Sequence, residues 1–128
     1  VKRLVIPGLS AGAVLDATRV EAGEVVIAGA VDGGSRLVVR AERGVVMFRG
    51  PVGGGSVVQV TARSVGFEGA ITGPNTRAVV TLTAGGELVF ASLDGPARLE
   101  YRRANPGDPT PKLRAGRVAP PGMVTEVQ

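Results

Sequence analysis

The chain contains no cysteine, no histidine and no tryptophan, and its aromatic side chains are three phenylalanines and one tyrosine. Without cysteine there is neither a disulfide framework nor a thiolate metal site. Without histidine the commonest general base, the usual zinc ligand and the side chain that changes charge near neutral pH are all missing. Most hydrolase and metalloenzyme mechanisms therefore lose their central residue. No apolar run approaches the roughly 18 residues of a membrane-spanning helix. The segment Val1 to Leu15 has no apolar stretch followed by a cleavage site. A soluble chain is expected, with its compartment open.

What is present favours strands. At 128 residues and 13.0 kDa the chain is long enough for one core, with roughly two thirds of the unfolded surface buried. Twenty-two valines supply branched side chains that pack well on a pleated surface and are stiff in a helix. With 15 basic against 11 acidic residues the net charge is +4, a balance that is compatible with an anionic partner without requiring one.

The pattern of greatest weight is a phrase repeated about every twenty residues from Gly23 to Ala104. An apolar-x-Gly-x-apolar-x-Gly unit occurs at Ile27, Gly29, Val31 and Gly33, at Phe48, Gly50, Val52 and Gly54, and at Phe67, Gly69, Ile71 and Gly73. A shortened copy follows at Phe90, Ser92, Leu93 and Gly95. Alanines at positions 22, 41, 62, 84 and 104 close each phrase at intervals of 19, 21, 22 and 20 residues. Period-2 alternation predicts strands over Leu4 to Ile6, Glu24 to Ala30, Arg36 to Arg40, Val45 to Phe48, Val57 to Thr61, Val65 to Phe67, Ala78 to Thr83, Glu87 to Ala91 and Ala97 to Tyr101. A weaker alternation around Ala13 to Val20 suggests one more. Glycine-rich connectors such as Gly33-Gly34-Ser35 and Gly53-Gly54-Gly55-Ser56 sit at matching places, where glycine lets the chain turn sharply.

Two architectures fit this pattern. In a short β-solenoid each phrase is one coil, with aromatic over aromatic and glycine over glycine. In an antiparallel β-sandwich or jelly roll the same strands pair as hairpins, with Ala41 to Gly44 and Ala84 to Gly86 as turns. The recurrence in kind favours the solenoid. The division expected is a β domain over 1–104, with repeats from 23, and an extended proline-rich arm over 105–128. Prolines and glycines in that last stretch are expected to keep it out of any ladder.

The repeat unit resembles the coil repeat of bactofilins, polymer-forming bacterial cytoskeletal proteins with a compact β-helix between proline-rich tails. It is also similar to filamentous-haemagglutinin-type repeats. Both resemblances imply a β-solenoid whose repeats are not themselves catalytic, and the bactofilin one implies self-association.

The individual motifs carry little chemistry. Gly53 to Ser56 lacks the lysine and helix of a phosphate-binding loop, and Ser35 and Ser56 have no base to activate them, so both are read as turn residues. Asp32 and Asp94 each precede a glycine in matching copies, which is a favoured turn pair; a repeat calcium site would need more carboxylates nearby. Arginines 36, 40, 49, 63, 77, 98, 102 and 103 are expected to form a basic stripe, with Arg98, Arg102 and Arg103 as the face for an anionic glycan or an acidic protein surface. Nucleic acid is disfavoured because no aromatic platforms interleave with that charge.

The expected function is that of a non-catalytic structural protein, a β-rich subunit that polymerises into or decorates a large symmetric assembly such as a cytoskeletal filament or a virion head or tail. Its partners would be copies of itself or other subunits. The joining element would be the arm, through Pro106, Pro109, Pro111, Lys112, Leu113, Arg114, Arg117, Val118, Pro120 and Pro121. An adhesive or carbohydrate-binding module is the alternative. No cofactor or metal site is expected.

Overall fold

A computed structural model describes residues 3–17, 23–94, 96–105, 107–118 and 123–126. The chain is all β, a parallel β-solenoid of about five turns. Its strands are β1 (Arg3–Ile6), β2 (Val14–Ala17), β3 (Glu24–Ile27), β4 (Arg36–Phe48), β5 (Val57–Ile71), β6 (Arg77–Leu93), β7 (Arg98–Arg103), β8 (Lys112–Val118) and β9 (Met123–Glu126). Every strand pair among them is parallel. The sandwich alternative is thereby excluded, since its hairpins need antiparallel neighbours. Ala41 to Gly44 and Ala84 to Gly86 are corners of the coil.

Each turn has three faces. Face A stacks Arg3, Glu24, Val45, Ser64, Glu87 and Lys112, each at the start of a four-residue stretch. Face B is reduced to Leu9, Val31, Val52, Ile71, Leu93 and Val118, paired one above another. Face C stacks Val14, Arg36, Val57, Arg77, Arg98 and Met123. The long strands β4, β5 and β6 bend round the corner from face C to face A, so stretches predicted as separate strands are continuous.

Because side chains alternate along a strand, every second residue of each face enters one shared interior. Val25, Val46, Val65 and Leu88 form one buried column, and Ile27, Phe48, Phe67 and Phe90 form another. From face C, Leu37, Val58, Ala78 and Leu99 fill the opposite wall. The core is therefore an apolar column running the length of the coil, with no helix or second sheet packed on it among the described residues.

Glycine recurs for two separate physical reasons. At the corner between faces A and B it allows close stacking: a Cβ on Gly50 would lie 2.4 Å from the carbonyl of Gly29, and one on Gly69 would lie 2.5 Å from that of Gly50. At the corner between faces B and C, Gly54 has φ +64, a left-handed conformation that L side chains enter at a cost.

One expectation needs correction. Of the stretch 105–128, expected to form an arm outside the ladder, the described strands lie within the ladder. Lys112–Val118 pairs with β6 and Met123–Glu126 pairs with β7, which adds one more rung to the solenoid. The physical reason is spacing: Pro109 and Pro111 fall in the corner before β8, and the runs that follow carry no proline and place Leu113, Val118 and Val124 at core positions. Pro111 is buried, and Pro106, Pro120 and Pro121 lie outside the described residues. The closing alanines take more than one place in the coil. Ala41 and Ala62 are buried and aligned with Leu82, whereas Ala84 and Ala104 are exposed at corners.

Candidate functional site

The third corner, from face C to face A, is the one whose length varies. The chain takes Glu42, Arg43 and Gly44 to pass between Ala41 and Val45, but only Arg63 between Ala62 and Ser64. The next turn uses 83–86 and the one after it 104–111. The short corner is thus flanked by longer ones. Thr83 spans the gap, its hydroxyl donating to the carbonyl oxygen of Glu42 two turns away. The backbone is crowded here, since a Cβ on Gly86 would fall 1.6 Å from the carbonyl oxygen of Arg63.

This arrangement leaves an open groove of about 800 Å³ along the outside of face C and its corner. One column of outward side chains runs through it: Arg40, Thr61, Thr81 and Arg102, aligned residue on residue. Arg43 and Arg63 line the corner side, with Glu42 and Asp108 as the acidic groups. Arg40 is paired with Glu42. Arg102 donates to the Thr81 hydroxyl at 3.3 Å, and Arg43 and Arg63 have no carboxylate partner among the described residues. A further outward column, separated from the first by that of Val38, Gln59, Val79 and Glu100, carries Arg36, Arg77 and Arg98, of which Arg77 is clamped by Glu100 at 2.6 Å. Face A differs, because its outward charges largely match, Arg3 with Glu24 and Arg114 with Glu87, both at 3.4 Å.

The predicted basic stripe is therefore split by the fold. Arg98 and Arg102 do share the outer side of face C, but four residues apart along the strand and in different columns. Arg103 is turned the other way. It continues the inward column of Ala41, Ala62 and Leu82, donates to the carbonyl oxygen of Asp108 at 3.2 Å, and lies 4.0 Å from Glu126. Tyr101 belongs to the same cluster: burial pushes its hydroxyl above the ordinary tyrosine range, followed by the charge of Glu126 and the hydrogen bond donated to it. These three groups cover one corner of the core at its C-terminal end.

The remaining positions at that end are apolar. Leu113 is 38% and Val118 40% exposed, although the preceding members of their columns, Leu88 and Leu93, are fully buried. At the opposite end Leu4, Leu9 and Leu15 are half-buried against the core. Lys112, Arg114 and Arg117 lie exposed on β8. Pro109 packs against Gly85 at the long corner.

Other motifs are dispersed. Asp32 and Asp94 follow Val31 and Leu93, which are separated by Val52 and Ile71 in the face B column; three rung spacings of about 4.8 Å keep them too far apart to share one ion. Ser35 and Ser56 are turn residues, their amides donating to the carbonyl oxygens of Asp32 and Gly53, and their side chains, like that of Thr76, enter the interior and are at most 1% exposed. Ser35 donates to the carbonyl oxygen of Asp32 at 2.6 Å, and Thr76 accepts from the amide of Gly55 at 3.1 Å. On face A a smaller depression of about 370 Å³ lies around Gly66, beside Val45, Met47 and Val89.

The threonines of the groove had no sequence signal beyond ordinary alternation, and their alignment with Arg40 and Arg102 depends on turn lengths that differ from coil to coil. No known protein family, curated protein or solved structure matches the chain.

Proposed function

We propose that this chain is a non-catalytic structural subunit that joins others of its kind, end to end, in a filament or a larger symmetric assembly. The observation that carries the reading is the graded exposure at the terminal rungs. Columns that are fully buried inside the coil finish at Leu113 and Val118 with more than a third of each residue open to water. Leu4, Leu9 and Leu15 offer the complementary positions at the other end. A parallel ladder also leaves a row of backbone donors and acceptors on each terminal strand, and such edges pair readily with another chain.

A rung from a second copy would continue all three faces at once. Leu4 would follow Leu113, Leu9 would follow Val118 and Leu15 would follow Val124, so apolar positions meet apolar positions. The rigidity of a coil held by parallel hydrogen bonds on each face suits a load-bearing role. The resemblance of its repeat to those of polymer-forming proteins supports the same reading.

Sedimentation velocity and negative-stain microscopy of the 128-residue chain test it. Concentration-dependent oligomers or filaments are expected, and L113E together with V118E should shift the population to monomers while the circular dichroism of the sheet is retained. A wild-type chain that stays monomeric at high concentration would remove the reading.

A further inference from the structure

We infer that the groove on face C is a binding site for an acidic polysaccharide, one whose sugar residues carry carboxylates. The inference is independent of end-to-end assembly. It rests on the column Arg40, Thr61, Thr81 and Arg102 and on the guanidinium of Arg63 beside it, which has no carboxylate partner among the described residues.

The shape of the site selects an extended polymer. Rungs of a parallel ladder are about 4.8 Å apart, a distance comparable to one pyranose residue in an extended chain. The column therefore runs about 14 Å along the coil axis, and it presents one side chain per rung at fixed spacing. Guanidinium groups stand at both ends, and hydroxyls, which both donate and accept, stand between. A run of linked uronic acids offers the matching order: carboxylates for the planar guanidinium forks and sugar hydroxyls for the threonines.

Charge selects an anion. Four arginines line the groove against Glu42 and Asp108, and among the described residues only Arg40 of the four is paired with a carboxylate. An arginine set that needed no ligand would resemble face A, where Arg3 and Arg114 each have an acidic partner.

Among the described residues no aromatic ring lines the groove, and this separates the ligand from its nearest rivals. Single-stranded nucleic acid binds by stacking bases on aromatic side chains as well as by charge, and Phe48, Phe67 and Phe90 are buried in the core. Neutral glycans have no use for the guanidinium groups. An acidic peptide would satisfy the arginines but leave the threonine hydroxyls without a regular partner.

The test is titration of the full chain with polygalacturonate, poly-L-glutamate, single-stranded DNA and neutral dextran at low and moderate salt. Polygalacturonate should bind most tightly and dextran not at all. R63A with R102A should weaken polygalacturonate binding about a hundredfold, roughly tenfold for each charge-assisted contact. T61V with T81V should weaken it about fivefold, in line with the loss of two neutral hydrogen bonds, and should leave poly-L-glutamate binding unchanged. Absence of polygalacturonate binding, equal affinity for DNA or poly-L-glutamate, or indifference to the threonine pair would each overturn the proposal. Thermal unfolding of each variant checks that the fold is intact. Sedimentation of the same samples keeps this result separate from the state of assembly.

Discussion

The ring of Phe67 lies on that of Phe48, with centroids 4.6 Å apart and planes inclined by 14°. Parallel pairing places the two residues in register on adjacent turns, and Phe90 takes the same position on the next. This aromatic stack lies on face A of the core, whereas buried aliphatic side chains line the other faces.

Phe67→Ala removes the middle ring of the column and leaves a cavity that the stiff ladders on either side cannot close. A loss of about 3–5 kcal/mol is expected, read from chemical denaturation. Phe67→Leu should cost much less, because it keeps most of the volume.

Gly69→Ala tests the close stacking at the corner between faces A and B. The added methyl would lie 2.5 Å from the carbonyl of Gly50, backbone that cannot rotate away. The rungs must separate locally, so a loss of at least about 1–3 kcal/mol is expected despite the higher strand and helix propensity of alanine. Gly107→Ala, where a Cβ meets nothing within 4 Å, is the control and should change the melting temperature little.

Ser56→Ala should be neutral or mildly stabilising. The Ser56 hydroxyl is buried with no hydrogen-bond partner among the described residues, and removing an unsatisfied polar group relieves its desolvation cost. Ser35→Ala, by contrast, deletes a 2.6 Å hydrogen bond to Asp32 and is expected to cost about 1 kcal/mol. Paired denaturation curves distinguish the two.

Tyr101 links stability to alkaline pH. Its folded-state pKa is raised by burial and by Glu126, so the protonated phenol is favoured in the native chain. The stabilisation is complete below the ordinary tyrosine pKa of 10.0 and is lost as pH rises through the elevated folded value. Glu126→Gln should bring the titration back toward 10.0 by removing the charge and weakening the hydrogen bond. As the chain has a single tyrosine, ultraviolet tyrosinate absorbance follows this group alone.

How much of this was legible from residues differs by feature. The twenty-residue phrase at Phe48 and Phe67 is a local pattern, and stacking like on like is the simplest structure that makes it recur, so the coil and its aromatic column could be read directly. The fate of 105–128 could not. Proline density argues against a ladder, yet what matters is that Pro109 and Pro111 fall at a corner and leave 112–118 clear to pair with β6. Period alone also left parallel and antiparallel pairing open, because both place side chains alternately on two sides of a strand.

The chain's own order of residues determined the β character, the glycine corners, the apolar interior and the lack of histidine and cysteine chemistry, since each follows from side-chain type and local spacing. Tertiary structure alone decided which arginines meet. Arg40 and Arg102 share a column because the intervening turns happen to keep them in register, Arg103 is turned inward by one residue of alternation, and Arg63 joins the groove because its corner is the shortest. The corners absorb their differences in length, but a one-residue slip of register within a strand would redirect these side chains, for alternation sends neighbours to opposite sides of the sheet.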